Sequence, residues 1–179
     1  MIRWRYLVML VALGMGLLSS NAVAGSAPLA DLPDGSYQFC SEPDPQDWRV
    51  GAGACLNFIK QGSTIEGYYG YPHSSEFVCL RGQVSEQVFH GQGAIALWEG
   101  ETYLDFPEQP FNWGPEGRLS LSQGEIAGGK ELLKELLKEL PENLENWMFF
   151  QSATLNLDGL TAYTSPLMTP PAQLCDGPF

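Results

Sequence analysis

The stretch ACLNFIKQGSTIEGYYGYPHSSEFVCLRGQV, residues 54–84, constrains the fold most, because it predicts three short antiparallel strands joined by two tight turns. Alternate residues such as Leu56 and Phe58 fall on one face, and the residues between them fall on the other, which is the period typical of a strand. Gly62 accepts the positive φ of a hairpin turn, and residues 72–74 close the second turn. The rest of the chain is expected to extend this meander.

The register of the meander limits how the cysteines can pair. A first turn that pairs Lys60 with Ser63 and a second turn that pairs Tyr71 with Glu76 put Cys55, Tyr68 and Cys79 in one row across three strands. Neighbouring strands lie about 4.8 Å apart, so the two cysteines would be separated by about 9 to 10 Å. A disulfide needs Cα atoms within about 7 Å, so this register excludes a direct bridge between them.

Four cysteines predict two disulfides if the chain folds in an oxidising compartment. One favoured pair is Cys40 with Cys55, across the loop between a strand predicted at residues 36–40 and the first strand of the meander. The other is Cys79 with Cys175, which would fix the C-terminal tail to the sheet. The alternative is Cys55 with Cys79 and Cys40 with Cys175, which a bulge in the meander would permit.

The first 24 residues have the pattern of a secretory signal peptide. Two arginines precede the apolar run 6–18, and Ala22-Val23-Ala24 fits a small-residue cleavage site before Gly25. The run is shorter than the roughly 20 residues that a membrane span needs, which argues against an uncleaved anchor. Residues 25–179 would then form a single domain, secreted or periplasmic, with no stable membrane insertion.

The charge of the chain excludes one class of partner. Its formal net charge is −12, and removal of the signal segment with its two arginines makes it −14. Such an acidic surface repels nucleic acid and anionic lipid, so neither is expected as a partner.

Beyond the meander, the pattern predicts further strands and one helix. A long strand from Gln87 to Trp98 should be broken near Gly91, and a hairpin should turn around Gln123-Gly124. The leucines of residues 130–140 form a single apolar stripe, which predicts a short amphipathic helix docked on a sheet. Trp147 to Leu157 reads as the last strand, with Trp147, Phe149, Ala153, Leu155 and Leu157 on one face. The predicted fold is mostly all-β: an antiparallel up-and-down β-barrel or a strongly curved sheet, with one helix before the last strand.

Two resemblances accompany this pattern. The order of meander, helix, last strand and disulfide-tied tail resembles the calycin architecture of lipocalin-like β-barrels, with Asp34-Gly35-Ser36-Tyr37 at the place of the lipocalin Gly-x-Trp signature. Residues Trp48 to Gly82, with WRVGAGACLNF and GYYGYPHSSEFVCLRG, resemble small exported proteins of unknown function found mainly in cyanobacteria. This second resemblance implies a compartment and no particular chemistry.

Catalytic and cofactor motifs are absent from the sequence. His73 stands beside Ser74, Ser75 and Glu76, but a serine triad is assembled from separated segments, and no Gly-x-Ser-x-Gly elbow occurs. The distance in sequence between His73 and His90 gives no zinc spacing, and no glycine loop precedes a helix to hold phosphate. We therefore expect no metal and no cofactor.

Aromatic residues are the remaining candidates for a binding site. Tyr69, Tyr71, Phe111 and Trp113 could line a pocket at the mouth of a barrel, or could fill its core. The aromatic loop of residues 105–117 would then be either a cover over the barrel end or a contact surface. The sequence favours a non-enzymatic binding or interaction module, for a small apolar or aromatic-stacking ligand or an envelope partner. The alternative is a small cell-envelope hydrolase that uses His73.

Overall fold

In a computed structural model, which describes residues 29–44, 53–97, 106–107, 109–126, 146–175 and 179, the strands form one curled antiparallel sheet, a half-barrel. The mostly all-β fold with a strongly curved sheet is therefore confirmed. The strands are β1 (Gly35–Cys40), β2 (Cys55–Gln61), β3 (Thr64–Gly70), β4 (Phe77–Ser85), β5 (Val88–Leu97), β6 (Phe111–Trp113), β7 (Leu119–Ile126), β8 (Asn146–Asn156) and β9 (Thr161–Ala162). A 3₁₀ turn (Leu29–Asp31) precedes β1, and a short helix, α1 (Pro171–Leu174), follows β9.

The predicted signal peptide at residues 1–24 and the helix expected at residues 130–140 lie outside the described residues. The strand order in the sheet is β6-β7-β8-β5-β4-β3-β2-β1-β9. The up-and-down order holds from β1 to β5, where each strand pairs with the next along the chain. Beyond β5 the next neighbour is β8, and β7 and β6 follow it.

The register of the first hairpin is shifted by two residues from the prediction. Gln61 pairs with Thr64, so Cys55 lies opposite Gly70 and not opposite Tyr68. Tyr68 does lie opposite Cys79, as expected. Because side chains alternate with a period of two, a shift of two residues leaves every side chain on its predicted face.

The disulfides are the favoured pair. Cys40 and Cys55 are direct partners across β1 and β2, with their Cα atoms 4.0 Å apart. Cys79 of β4 joins Cys175, which follows α1, with their Cα atoms 5.7 Å apart. Two disulfides are typical of a chain that folds in an oxidising compartment outside the cytoplasm.

The break expected near Gly91 is a bulge. Gly91 pairs with Ala153 and Gly93 pairs with Phe150, so two residues of β8 face a single residue of β5. The extra residue reverses the alternation along β8. The prediction that Trp147 and Phe149 share a face with Ala153 is therefore wrong.

The hairpin predicted around Gln123-Gly124 is also absent from the fold. Leu119–Ile126 is one continuous strand, β7, although Gln123 has a φ of 57°. Its two halves pair with the long strand β8 in a single register. This pairing keeps β7 continuous, although the local sequence Gln123-Gly124 favours a turn. The aromatic loop of residues 105–117 contains the edge strand β6.

The sheet has an inner and an outer face. The inner face is concave, because the edge strand β6 reaches across it to β3, where the rings of Trp113 and Tyr69 lie 5.9 Å apart. It holds the larger core, which includes Leu56, Phe58, Ile65, Leu80, Phe89, Leu121, Phe150 and Leu155. The outer face carries Tyr68, Cys79, Ala94 and Trp147, and Met168, Leu174 and Phe179 from the C-terminal part of the chain pack with them.

Candidate binding site

The curl of the sheet brings three of the four predicted aromatic contacts together. β3 places Tyr69 and leads directly to Tyr71, while β6 places Trp113. The Trp113 ring meets Tyr69 edge-on at 5.9 Å and Tyr71 at 6.0 Å between centroids. These distances are typical of favourable aromatic pairs.

Phe111 belongs to a neighbouring aromatic group. Its ring lies 5.8 Å from Phe150 and 6.3 Å from Phe106. Phe106 also meets Phe150, at 5.9 Å. β6 thus has one aromatic residue in each group.

Exposure separates the roles of these aromatic residues. Tyr69 is 1% exposed, so its ring supports Trp113 from within the core. Tyr71, Phe111 and Trp113 are each partly exposed. Their accessible surfaces, and not that of Tyr69, are available to a ligand.

The tyrosine hydroxyls lie in an electrostatically unfavourable place for ionisation. Burial, followed by the negative charge of Glu116, raises the pKa of Tyr69 far above its usual value, and the Tyr69 hydroxyl lies 3.4 Å from Glu116 Oε2. Burial and the same charge raise the pKa of Tyr71. The Tyr71 hydroxyl is buried without a well-formed hydrogen bond to the described residues. Because the pKa values of Tyr69 and Tyr71 are both raised, both phenols are neutral at physiological pH.

A cavity of about 390 Å³ opens beside Trp113. Among the described residues, its walls are formed by Ser75, Glu76, Phe77, Ile95, Ala96, Phe106, Trp113 and Gly114. The aromatic and aliphatic walls suit an apolar ligand, and Ser75 and Glu76 supply polar groups that could orient it. Of the four predicted contacts only Trp113 is among the described residues that line this cavity, and Tyr71 packs against the Trp113 ring.

Sequence reasoning missed Phe77 and Ile95 as cavity residues. Each belongs to a regular strand, β4 or β5, and its alternation marks only which face it occupies. Phe77 could have been found from the predicted turn at residues 72–74, which returns β4 alongside the end of β3 and pairs Phe77 with Gly70, next to Tyr71.

Glu116 was also missed, although it joins distant parts of the sheet. It lies in the turn between β6 and β7 and accepts hydrogen bonds from Ser41 Oγ, at 2.6 Å, and from the backbone N–H of Ala54, at 3.0 Å. Arg118 Nε donates to its other oxygen at 3.1 Å. Glu116 therefore fastens the β6–β7 edge to the ends of β1 and β2 and closes one side of the half-barrel.

The turn that carries His73 is a structural turn. His73 is exposed and has a φ of 61°. Ser74 Oγ donates to the Tyr71 carbonyl at 2.9 Å and accepts from the Glu76 N–H at 3.1 Å. These bonds use the Ser74 hydroxyl to stabilise the backbone, as Ser and Thr commonly do in turns.

The described part of the chain contains no cluster of three or more His, Cys, Asp or Glu side chains suited to a metal ion. None of the helices in that same part is both long and apolar enough to cross a membrane. Compared with protein-family models, curated proteins and solved structures, the chain shows no match. The resemblances to calycins and to small exported cyanobacterial proteins stay predictions.

Proposed function

We propose that this protein is an exported, non-enzymatic binding module of the periplasm or cell surface. Two features support export: the signal-like start of the sequence and the two disulfides. The half-barrel supplies a rigid frame, and its mouth carries the aromatic group and the cavity beside it.

The observation that carries the proposal is the position of Trp113. Its ring is backed by Tyr69 and Tyr71 and presents its remaining surface to the 390 Å³ cavity. A rigid indole with fixed support gives stacking area at little cost in conformational entropy. The ligand class that fits is a small apolar or aromatic molecule that stacks on Trp113, with a polar group directed at Ser75 or Glu76.

Mass spectrometry of the protein purified from an oxidising compartment tests this function. The native spectrum should show extra mass that disappears on denaturation, and the released molecule should rebind to the wild type with quenching of tryptophan fluorescence. Isothermal titration calorimetry measures the affinities of the variants, because Trp113→Ala removes the indole whose fluorescence is quenched. Trp113→Ala should weaken rebinding about tenfold, because a stacked aromatic pair contributes about 1 to 1.5 kcal/mol beyond its buried area.

Leu167→Ala is the matched control, since Leu167 is 64% exposed and lies far along the chain in the C-terminal segment. It should leave the affinity unchanged. The proposal is contradicted if the native protein carries no ligand and a series of small aromatic molecules leaves its fluorescence unchanged. Equal binding by Trp113→Ala and the wild type would contradict the placement of the site.

A further inference from the structure

The C-terminal strap, residues 164–175, crosses the outer face of the sheet and is held there through its backbone. Gln38 Oε1 accepts hydrogen bonds from the backbone N–H groups of Leu167, at 2.7 Å, and Met168, at 3.1 Å. Asn57 Nδ2 and the Tyr68 hydroxyl both donate to the Thr169 carbonyl, each at 2.7 Å. Three successive strap residues are thus recognised through groups that every non-proline residue possesses.

The side chains that recognise the strap are buried and fixed. Gln38 is 2% exposed and Asn57 is 1% exposed, which is unusual for amides on the solvent side of a sheet. Gln38 Nε2 lies 3.2 Å from Cys40 Sγ, and Asn57 Nδ2 lies 3.2 Å from the Tyr68 hydroxyl. They stand on β1, β2 and β3, so the receiving groups are placed by the most regular part of the sheet.

The strap directs most of its side chains away from the sheet. Leu167 is 64% exposed, and residues 164–166, 169–170 and 172–173 are exposed as well. Pro171 and Cys175 are buried, and Met168 is partly buried. Prolines at 166 and 170 favour an extended backbone in the part of the strap before α1, a form that peptide-binding grooves commonly recognise, and Pro171 begins α1.

We propose that the outer face is a second binding site, a groove for extended, proline-containing peptide segments, and that the strap is its resident occupant. The groove is defined by Gln38, Asn57 and Tyr68. It reads the backbone of its ligand and therefore tolerates different side chains, as strand-addition sites do. This site lies on the face opposite Trp113 and does not depend on the function proposed above.

The Cys79–Cys175 disulfide keeps the strap in the groove. A segment tethered by the chain competes at an effective concentration on the order of millimolar. The additional Cys79–Cys175 bond makes occupancy of the groove by the strap nearly complete. An external peptide therefore binds in proportion to the fraction of chains whose groove is open.

The test uses the full chain with the lock removed, Cys79→Ser/Cys175→Ser, which leaves Cys40–Cys55 intact. The probe is a fluorescein-labelled synthetic peptide of residues 164–172, and its binding is measured by fluorescence anisotropy. Unlabelled protein, or unlabelled peptide in competition, is added up to about 5 mM, because the tethered strap competes at a millimolar effective concentration. The unlocked chain should bind the peptide at least tenfold more tightly than the oxidised wild type. Methylation of the two peptide nitrogens that correspond to Leu167 and Met168 should weaken binding at least tenfold.

A second variant keeps both disulfides and guards against failure of the unlocked chain to fold. Leu167→Pro removes one N–H that Gln38 accepts, while Leu167→Ala keeps it. The first should admit the peptide and the second should not. The proposed peptide groove would be rejected by either of two results. One is equal binding of the methylated and unmethylated peptides, and the other is failure of both the unlocked chain and Leu167→Pro to bind the peptide. If the unlocked chain instead forms a dimer in which each copy binds the strap of the other and no peptide binds, the ligand of the groove is a second copy of this chain and not an external peptide.

Discussion

Glu116 shows how much a single side chain can add to a curled sheet. Its carboxylate connects the β6–β7 turn with Ser41, 75 positions earlier, and with Ala54, 62 positions earlier. A sequence pattern records which face a residue occupies but contains no signal for a contact over such a separation. The shared face of Tyr69 and Tyr71 could be anticipated because it follows from the period of one strand, whereas the contacts of Glu116 could not.

The charge of Glu116 is the basis of a prediction on stability and pH. Burial alone would raise the pKa of Glu116, but the hydrogen bonds from Ser41 and the Ala54 N–H, together with Arg118, lower it below its ordinary value of 4.5. A carboxyl whose folded pKa is lowered contributes stability above its unfolded pKa, and loses that contribution as the pH falls through the folded pKa.

Glu116→Gln should therefore cost about 1 kcal/mol of unfolding free energy at pH 7, because hydrogen bonds to a charged group contribute about 1.5 to 3 kcal/mol and solvent screening at this exposed carboxylate reduces that value. Below about pH 4.5 the difference from the wild type should shrink, because the carboxyl is then protonated and resembles the amide. Urea unfolding followed by circular dichroism between pH 3 and pH 7 measures both effects. Glu42→Gln is the control: Glu42 is exposed and lines the same surface depression as Ser41 and Glu116, and its replacement should change stability by less than about 0.5 kcal/mol at every pH. A constant difference across this pH range would refute the role of the charge.

At the scale of the strands, local patterns predicted the central meander well and the later strands poorly. The faces of β2 and β3 follow directly from alternation, and a hairpin register error of two residues does not change them. The bulge on β8 is different, because a single extra residue reverses all later side chains and leaves no mark in composition. The continuity of β7 through Gln123-Gly124 likewise depends on β8, a partner that no local window contains.

Two glycines of β5 offer a matched test of how closely the strands approach. A Cβ on Gly91 would lie 2.3 Å from the Arg81 carbonyl oxygen and 2.6 Å from the Cα of Gly82, so backbone would have to move. A Cβ on Gly93 would meet only side-chain atoms, the nearest being Leu121 Cδ2 at 3.0 Å. Gly91 and Gly82 are paired directly across β4 and β5, a position where only glycine fits.

Gly91→Ala should therefore destabilise the protein by about 3 kcal/mol, the upper end of the usual cost of a forced backbone shift, whereas Gly93→Ala should cost about 1 kcal/mol. Chemical denaturation of the two variants under the same conditions gives the comparison. Similar losses in both variants would mean that β4 and β5 can separate locally, and the close pairing of Gly82 with Gly91 would then not be a constraint on the curl.

At the scale of the whole molecule, the two disulfides act on very different lengths of chain. Cys40–Cys55 spans 15 positions and strengthens a contact that β1 and β2 already make. Cys79–Cys175 spans 96 positions and fixes the strap to the sheet. Strand spacing excludes a bridge between Cys55 and Cys79, and that exclusion survives the corrected register. The choice between the two remaining connectivities depends on the short loop that joins Cys40 to Cys55.

The long bridge should contribute more stability than the short one. In the chain-entropy account, a bridge that closes a loop of 15 residues contributes about 3 kcal/mol and one of about 100 residues about 4.7 kcal/mol, by restricting the unfolded state. All four cysteines are at most 5% exposed, so the loss of packed sulfur is similar for the two bridges and largely cancels in the comparison. Cys79→Ala/Cys175→Ala should therefore lose at least about 1.5 kcal/mol more than Cys40→Ala/Cys55→Ala. Urea unfolding should also show the larger m-value for the first variant, because its unfolded chain is less constrained and exposes more surface. A greater loss from the short bridge would show that β1 and β2 depend on their disulfide for pairing, and that the strap is held mainly by Gln38, Asn57 and Tyr68.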